Sequence, residues 1–167
     1  MQPTTHSAKF IIRPAIRQDC RTILAFIKQL AEYEKLAHEV VATEEKLLTS
    51  LFGEHPSAEV IIAEYQGSAV GFALFFTNYS TFLAQPGIYL EDLYVHADMR
   101  GRGYGKKLLA YLARLAVERG CGRLEWWVLD WNQAAKDFYQ SLNAEPMEDW
   151  TVNRLSGESL ATLADQC

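Results

Sequence analysis

The stretch from Tyr89 to Gly120, YLEDLYVHADMRGRGYGKKLLAYLARLAVERG, constrains the fold more than any other part of the chain. It opens as a strand. From Gly103 to about Arg119, Leu108, Leu109, Leu112, Leu115 and Ala116 recur at helical spacing and form one apolar face. Between strand and helix stand Arg100-Gly101-Arg102-Gly103-Tyr104-Gly105-Lys106-Lys107. RLEWWVLDW then reads as another strand. Strand, helix and strand in succession require a β–α–β crossover, and so locally parallel pairing.

A glycine-rich turn at a helix start is also an anion site. The first amide N–H groups of a helix have no intrahelical acceptor and lie at the positive end of its dipole. Glycines allow positive φ and close approach to phosphate oxygens, and Arg100, Arg102 and Lys106 add charge. The spacing excludes two familiar phosphate binders. A P-loop needs GxxxxGK followed by Ser or Thr, and Lys107 occupies the hydroxyl's place. A dinucleotide turn needs GxGxxG in the first β–α unit, with an acid ending the following strand. Here the spacing is GxGxG, and Glu125 starts its strand. A diphosphate remains the best ligand for three alternating glycines among basic residues.

The rest of the chain gives the order β, α, α, β, β, β, α, β, α, β. KFIIRPA is a short strand stopped at Pro14, and Asp19 precedes a helix carrying Ile23, Phe26, Ile27, Leu30 and Ala31. TEEKLLTSLFG is a second helix with Thr43 as N-cap and Gly53 as its stop. AEVIIAEY and SAVGFALFFTNY form a hairpin across Gln66-Gly67. Asn132 caps a helix bearing Ala135, Phe138, Tyr139 and Leu142, and the final segment is expected to add a strand. The class is mixed α/β, an antiparallel meander leading into the crossover.

The 167 residues suit one domain, 1–167, with residues 1–8 expected to be a flexible tail. The formal charge of −5 argues against nucleic acid as a partner. Three widely spaced cysteines without a CxxC pair fit a reducing, cytoplasmic setting and give no disulfide framework. The four histidines show no metal-ligand spacing, so no metal is expected. No apolar run is long enough to span a bilayer, and the first residues lack a signal peptide's apolar core.

Arg100–Gly105 reads Arg-Gly-x-Gly-x-Gly, which resembles the pyrophosphate loop of the GNAT N-acetyltransferase superfamily. FIIRPA, IKQLAEYEK, FGEHP, VGFALFF, YLEDLYV, VLDWNQ and DFYQSLNA extend the likeness over nearly the whole chain. They are similar to the spermidine/spermine N-acetyltransferase family, and most to its thialysine branch. The resemblance implies a GNAT fold: a central, mostly antiparallel twisted sheet with a β–α–β crossover and helices on both faces. It implies acetyl-CoA as donor, a small-molecule amine as acceptor, and a homodimer.

Residue by residue, the resemblance places the pyrophosphate on Arg100, Gly101, Arg102, Gly103, Tyr104, Gly105 and Lys106. It places the pantetheine arm on the backbone of Leu93, Tyr94 and Val95 and near Asn132. Glu91 matches the family's carboxylate that accepts the ammonium proton, and Tyr139 matches the tyrosine that protonates the leaving thiolate. Tyr33 and Glu34 match a pair that helps bind the acceptor. Ser80-Thr81 stands where the polyamine branch has Asp-Pro, as in the thialysine branch. Without that carboxylate a long polycation loses a counter-charge, so a compact amino-acid-like amine or short diamine is expected as acceptor. The alternatives are a spermidine/spermine acetyltransferase and a non-catalytic acyl-CoA sensor. On strand alternation alone, Glu91 and Asp92 point to opposite faces, and Asp92 is expected to be a hydrogen-bonded or ion-paired structural carboxylate. An acetyl-cysteine route through Cys121 is disfavoured because no base lies nearby in sequence.

Overall fold

Strands β1 (Phe10–Pro14), β2 (Glu59–Tyr65), β3 (Ser68–Ser80), β4 (Gln85–Val95) and β5 (Leu124–Trp126) form one sheet, in that spatial order. The computed structural model describes residues 9–166, and the expected tail at 1–8 lies outside them. β1 through β4 pair antiparallel, and β4 pairs parallel with β5. The β2–β3 turn is the expected Gln66-Gly67, with both residues at positive φ (53° and 79°), the geometry that matches strand twist in a two-residue hairpin.

Helix α1 (Cys20–Tyr33) and helix α2 (Glu44–Phe52) cover one face of the sheet. Cys20, Ile23, Phe26, Leu47 and Leu51 pack there against Val60, Ile62, Phe72 and Tyr94. Helix α3 (Tyr104–Glu118) belongs to the other face. It packs against β3, β4 and β5, and buries Leu108, Leu109, Leu112 and Ala116. Ile61, Ala63, Ala73, Phe75, Ile88 and Leu90 are buried strand residues on that side. Two apolar faces on one sheet require helices on both, as the resemblance implies. Arg13 of β1 ties the sheet to the start of α1 through hydrogen bonds to Asp19 (2.7 and 2.9 Å) and Glu64 (2.7 Å). Asp19 therefore holds Arg13 rather than capping the helix.

The chain divides into two compact units, Met1–Trp127 and Val128–Cys167. The second contains α4 (Gln133–Gln140) and α5 (Gly157–Ala164). Two expectations fail here. The strand RLEWWVLDW is only β5, which ends at Trp126, paired with Leu90. The reason lies on β4, where the next residue, Glu91, is a bulge that breaks the ladder. The final segment forms α5, not a strand. Glu158 sits in its first turn, Leu160 and Leu163 lie one turn apart, and among the described residues no strand is there for it to pair with.

Candidate active site

The register of β4 changes at one residue. Leu74 pairs with Asp92, yet Phe75 pairs with Leu90, leaving Glu91 as the extra residue. Leu74 packs with the α1 face, so Asp92 across from it belongs to that face too, while Phe75 and Leu90 belong to the α3 face. Alternation therefore breaks between Leu90 and Asp92, which lie on opposite faces despite being two residues apart. Glu91 is exposed and Asp92 partly buried.

Asp92 is not the ion-paired structural carboxylate expected from sequence. Among the described residues no ion pair or hydrogen bond to its side chain is present. Burial pushes its carboxyl up to about 6, and the like charges of Glu91 and Glu34 push in the same direction. Burial raises Glu34 as well. Tyr89, also partly buried, has its phenol raised by burial, with Glu91 and Glu125 adding to it. Glu34, Glu91 and Asp92 thus share one electronegative locus, suited to a cation.

The end of α1 sets the position of Tyr33 and Glu34. The Leu36 N–H donates to the Ala31 carbonyl (2.8 Å) and the Lys35 N–H to the Glu32 carbonyl (3.1 Å), closing the helix in a Schellman motif. Lys35 takes the left-handed position at φ 63°, where glycine is usual. Tyr33 ends the helix and Glu34 caps it, beside the bulge on β4.

On the other side of the bulge, β4 runs on to Val95 while β5 has already ended, so among the described residues no strand pairs with that edge at Leu93–Val95. The chain then enters the glycine turn. Gly101 and Gly103 have φ of 75° and 77°, and a Cβ on either would meet nothing, so conformation rather than crowding demands glycine. Among the described residues no protein acceptor takes the N–H groups of residues 101–106, and the first bond of α3 is Lys107 N–H to the Gly103 carbonyl (3.0 Å). Alternating positive-φ glycines at a helix start turn such donors toward one concave anion site. Arg102 lies 5.9 Å over the Tyr65 ring, Lys106 is exposed, and Tyr104 is buried in a 4.3 Å stack on Phe10. These donors fit a diphosphate, and the open β4 edge fits an extended amide-bearing chain.

A scan against family models matches residues 19–144 to the Acetyltransferase (GNAT) family. The chain belongs to this family. It is 40% identical to the thialysine N-epsilon-acetyltransferase of Sus scrofa, over 94% of this chain and 98% of that protein. It is 32% identical to the L-ornithine N5-acetyltransferase of Arabidopsis thaliana, over 96% of this chain and 90% of that protein. An aminoglycoside N-acetyltransferase solved in complex with CoA shares the fold, with a TM-score of 0.73 at 21% identity, over 91% of this chain and 98% of that one.

Tyr33, Glu34, Glu91, Leu93, Tyr94, Val95 and Arg100 to Lys106 all lie in the first unit. Asn132 and Tyr139 lie in the second, as the N-cap of α4 and within it. There the Asn132 Oδ1 accepts the Ala135 N–H (3.2 Å), and the Tyr139 ring packs 5.3 Å from that of Phe138. Ser80 and Thr81 stand apart. Ser80 is buried at the far end of β3, where its hydroxyl accepts the Leu83 N–H (3.2 Å), and Thr81 is exposed. Ser80 pairs with Gln85, and the run from Gln85 to Glu91 along β4 is about 20 Å. One small amine cannot touch both within a single chain. Surface hollows lined by Lys28, Glu32, Ala37 and Val40, and by Pro56–Glu59, Phe76 and Thr77, contain none of these residues. Among the described residues no group of His, Cys, Asp or Glu is arranged to hold a metal, and no helix is long and apolar enough to cross a membrane.

Sequence reasoning missed the Asp92 environment and the side-chain direction of Arg100. The consecutive acids inside an apolar strand were the visible signal for the first. The second had none.

Proposed function

We propose that this chain is an acetyl-CoA-dependent N-acetyltransferase acting on a primary amine of a small molecule, by direct transfer in a ternary complex. The observation that carries the reading is the pairing of free turn donors at 101–106 with a carboxylate locus at Glu34, Glu91 and Asp92, on either side of one open strand edge. One site suits a diphosphate and the other an ammonium.

Acetyl-CoA, as acyl donor, supplies the thioester. Gly101, Gly103, Gly105 and their neighbours Arg102, Tyr104 and Lys106 form the turn that holds the diphosphate, whereas the Arg100 side chain leaves the turn for Tyr33 and Tyr94. Backbone groups of Leu93, Tyr94 and Val95 hold the pantetheine arm, a role the family resemblance extends to Asn132, and the N–H groups polarise the acetyl carbonyl. Tyr33 and Glu34 receive the acceptor. An alkylammonium has an ordinary pKa of about 10.4, so its nitrogen must shed a proton before it can attack the acetyl carbon. Glu91 accepts that proton, directly or through water. As the carbon–sulfur bond breaks, the Tyr139 hydroxyl donates a proton to the departing thiolate.

The relatives named for thialysine and L-ornithine support an acceptor that carries its own carboxylate. The non-catalytic alternative gains no support from a chain that has Glu91 and Tyr139 at the matching positions. The family match spans residues from both compact units, which supports one functional domain. We place it in the cytoplasm as a homodimer. The length of β4 keeps Ser80 and Thr81 from the acceptor within one chain, so any contact they make with it would have to come from a partner chain. Release of free CoA with a primary amine, alongside an N-acetylated product, tests the reading. Acetyl-CoA binding without turnover of any amine would replace it with the sensor.

A further inference from the structure

Arg100 opens the glycine turn, yet its side chain does not extend over it. The guanidinium carbon lies 4.8 Å from the ring centroid of Tyr33 and 5.6 Å from that of Tyr94. Its Nε donates to the Val95 carbonyl at 3.0 Å. One side chain thus spans three places: the end of α1, the α1 face of β4, and the strand end that leads into the turn. Cation–π attraction to the two rings and the planar fork of the guanidinium fix this arrangement, and a lysine ammonium cannot reproduce it.

We propose that Arg100 is a positioning residue for the acceptor, holding Tyr33 against the end of β4. The inference rests on the acetyltransferase reading, in which Tyr33 receives the amine. The diphosphate is then served by the turn's N–H groups with Arg102 and Lys106, while the Arg100 side chain works on the acceptor side. Any shift of the turn at Arg100 is carried directly to Tyr33, so donor and acceptor sites share one mechanical link.

Arg100→Lys separates the two roles, because it keeps the charge and loses the stacked plane. The expected result is an acceptor KM raised about three- to ten-fold, with kcat and acetyl-CoA affinity within about two-fold. In the Tyr33→Leu background the same substitution should add little, since its target ring is gone. A weakened acetyl-CoA affinity with unchanged acceptor KM would make Arg100 a phosphate clasp and overturn the proposal. So would independent, multiplying effects of the two substitutions. Wild-type protein that turns over no amine refutes the acetyltransferase reading instead. Wild-type turnover with an unmoved acceptor KM in Arg100→Lys refutes the positioning role alone.

Discussion

Asp92→Asn should make the protein more stable at neutral pH, although it alters the most electronegative part of the candidate site. The carboxyl is raised from the ordinary 3.8 to about 6, first by burial and then by the charges of Glu91 and Glu34. A raised carboxylate binds its proton more tightly in the folded chain than in the unfolded one. Stability is therefore lost as pH rises from about 4 to about 6, and stays lost above that. At about 1.4 kcal/mol for each pH unit, the interval sets a ceiling of about 3 kcal/mol. Solvent reaching a partly buried group lowers this, and about 2 kcal/mol is the working figure. For a chain of this size that corresponds to a melting temperature about 5 °C higher. An amide removes the charge at nearly constant volume. Thermal unfolding of both proteins between pH 4 and 8 should show curves that meet near pH 4 and separate toward pH 7. An equal offset at every pH, or a variant less stable than wild type at pH 8, would refute the electrostatic account. The same variant should bind the acceptor ammonium less well, the familiar trade of stability against function.

Two further outcomes follow from the site. Gly103→Ala places a Cβ at φ 77° with open space around it. It should cost about 1–2 kcal/mol of stability through backbone strain and weaken acetyl-CoA binding, measured by denaturation and by calorimetric titration. Tyr139→Phe should lower kcat with little change in acetyl-CoA affinity, and an unaltered kcat where chemistry limits the rate would remove Tyr139 from the proton-donor role.

Much of the architecture was legible because the periodicities were clean. The leucines of α3 fixed a long helix, Thr43 and Gly53 bounded α2, and Gln66-Gly67 marked its hairpin. The glycine turn was legible because positive φ at a strand-to-helix junction has few other occupants. The bulge was not. A one-residue insertion leaves no compositional mark, and same-parity residues Leu90 and Asp92 end on opposite faces only after the register slips. The early end of β5 follows from that same slip, so both errors share a cause. The last segment misled because Trp150, Thr151 and Val152 favour strand locally, whereas residues 145–166 are exposed and have no ladder to join. The direction of Arg100 was hidden because it depends on Tyr33, which is distant in sequence.

The most direct test of the account is CoA release measured across thialysine, lysine, putrescine, spermidine and an acetylatable peptide at saturating acetyl-CoA. Acetyl transfer to a compact amine through Glu91 and Tyr139, without the polyamine branch's carboxylate at Ser80-Thr81, predicts the highest kcat/KM for thialysine or another compact amine and poorer turnover of spermidine. Spermidine turned over well above thialysine, or the peptide above every free amine, would contradict it.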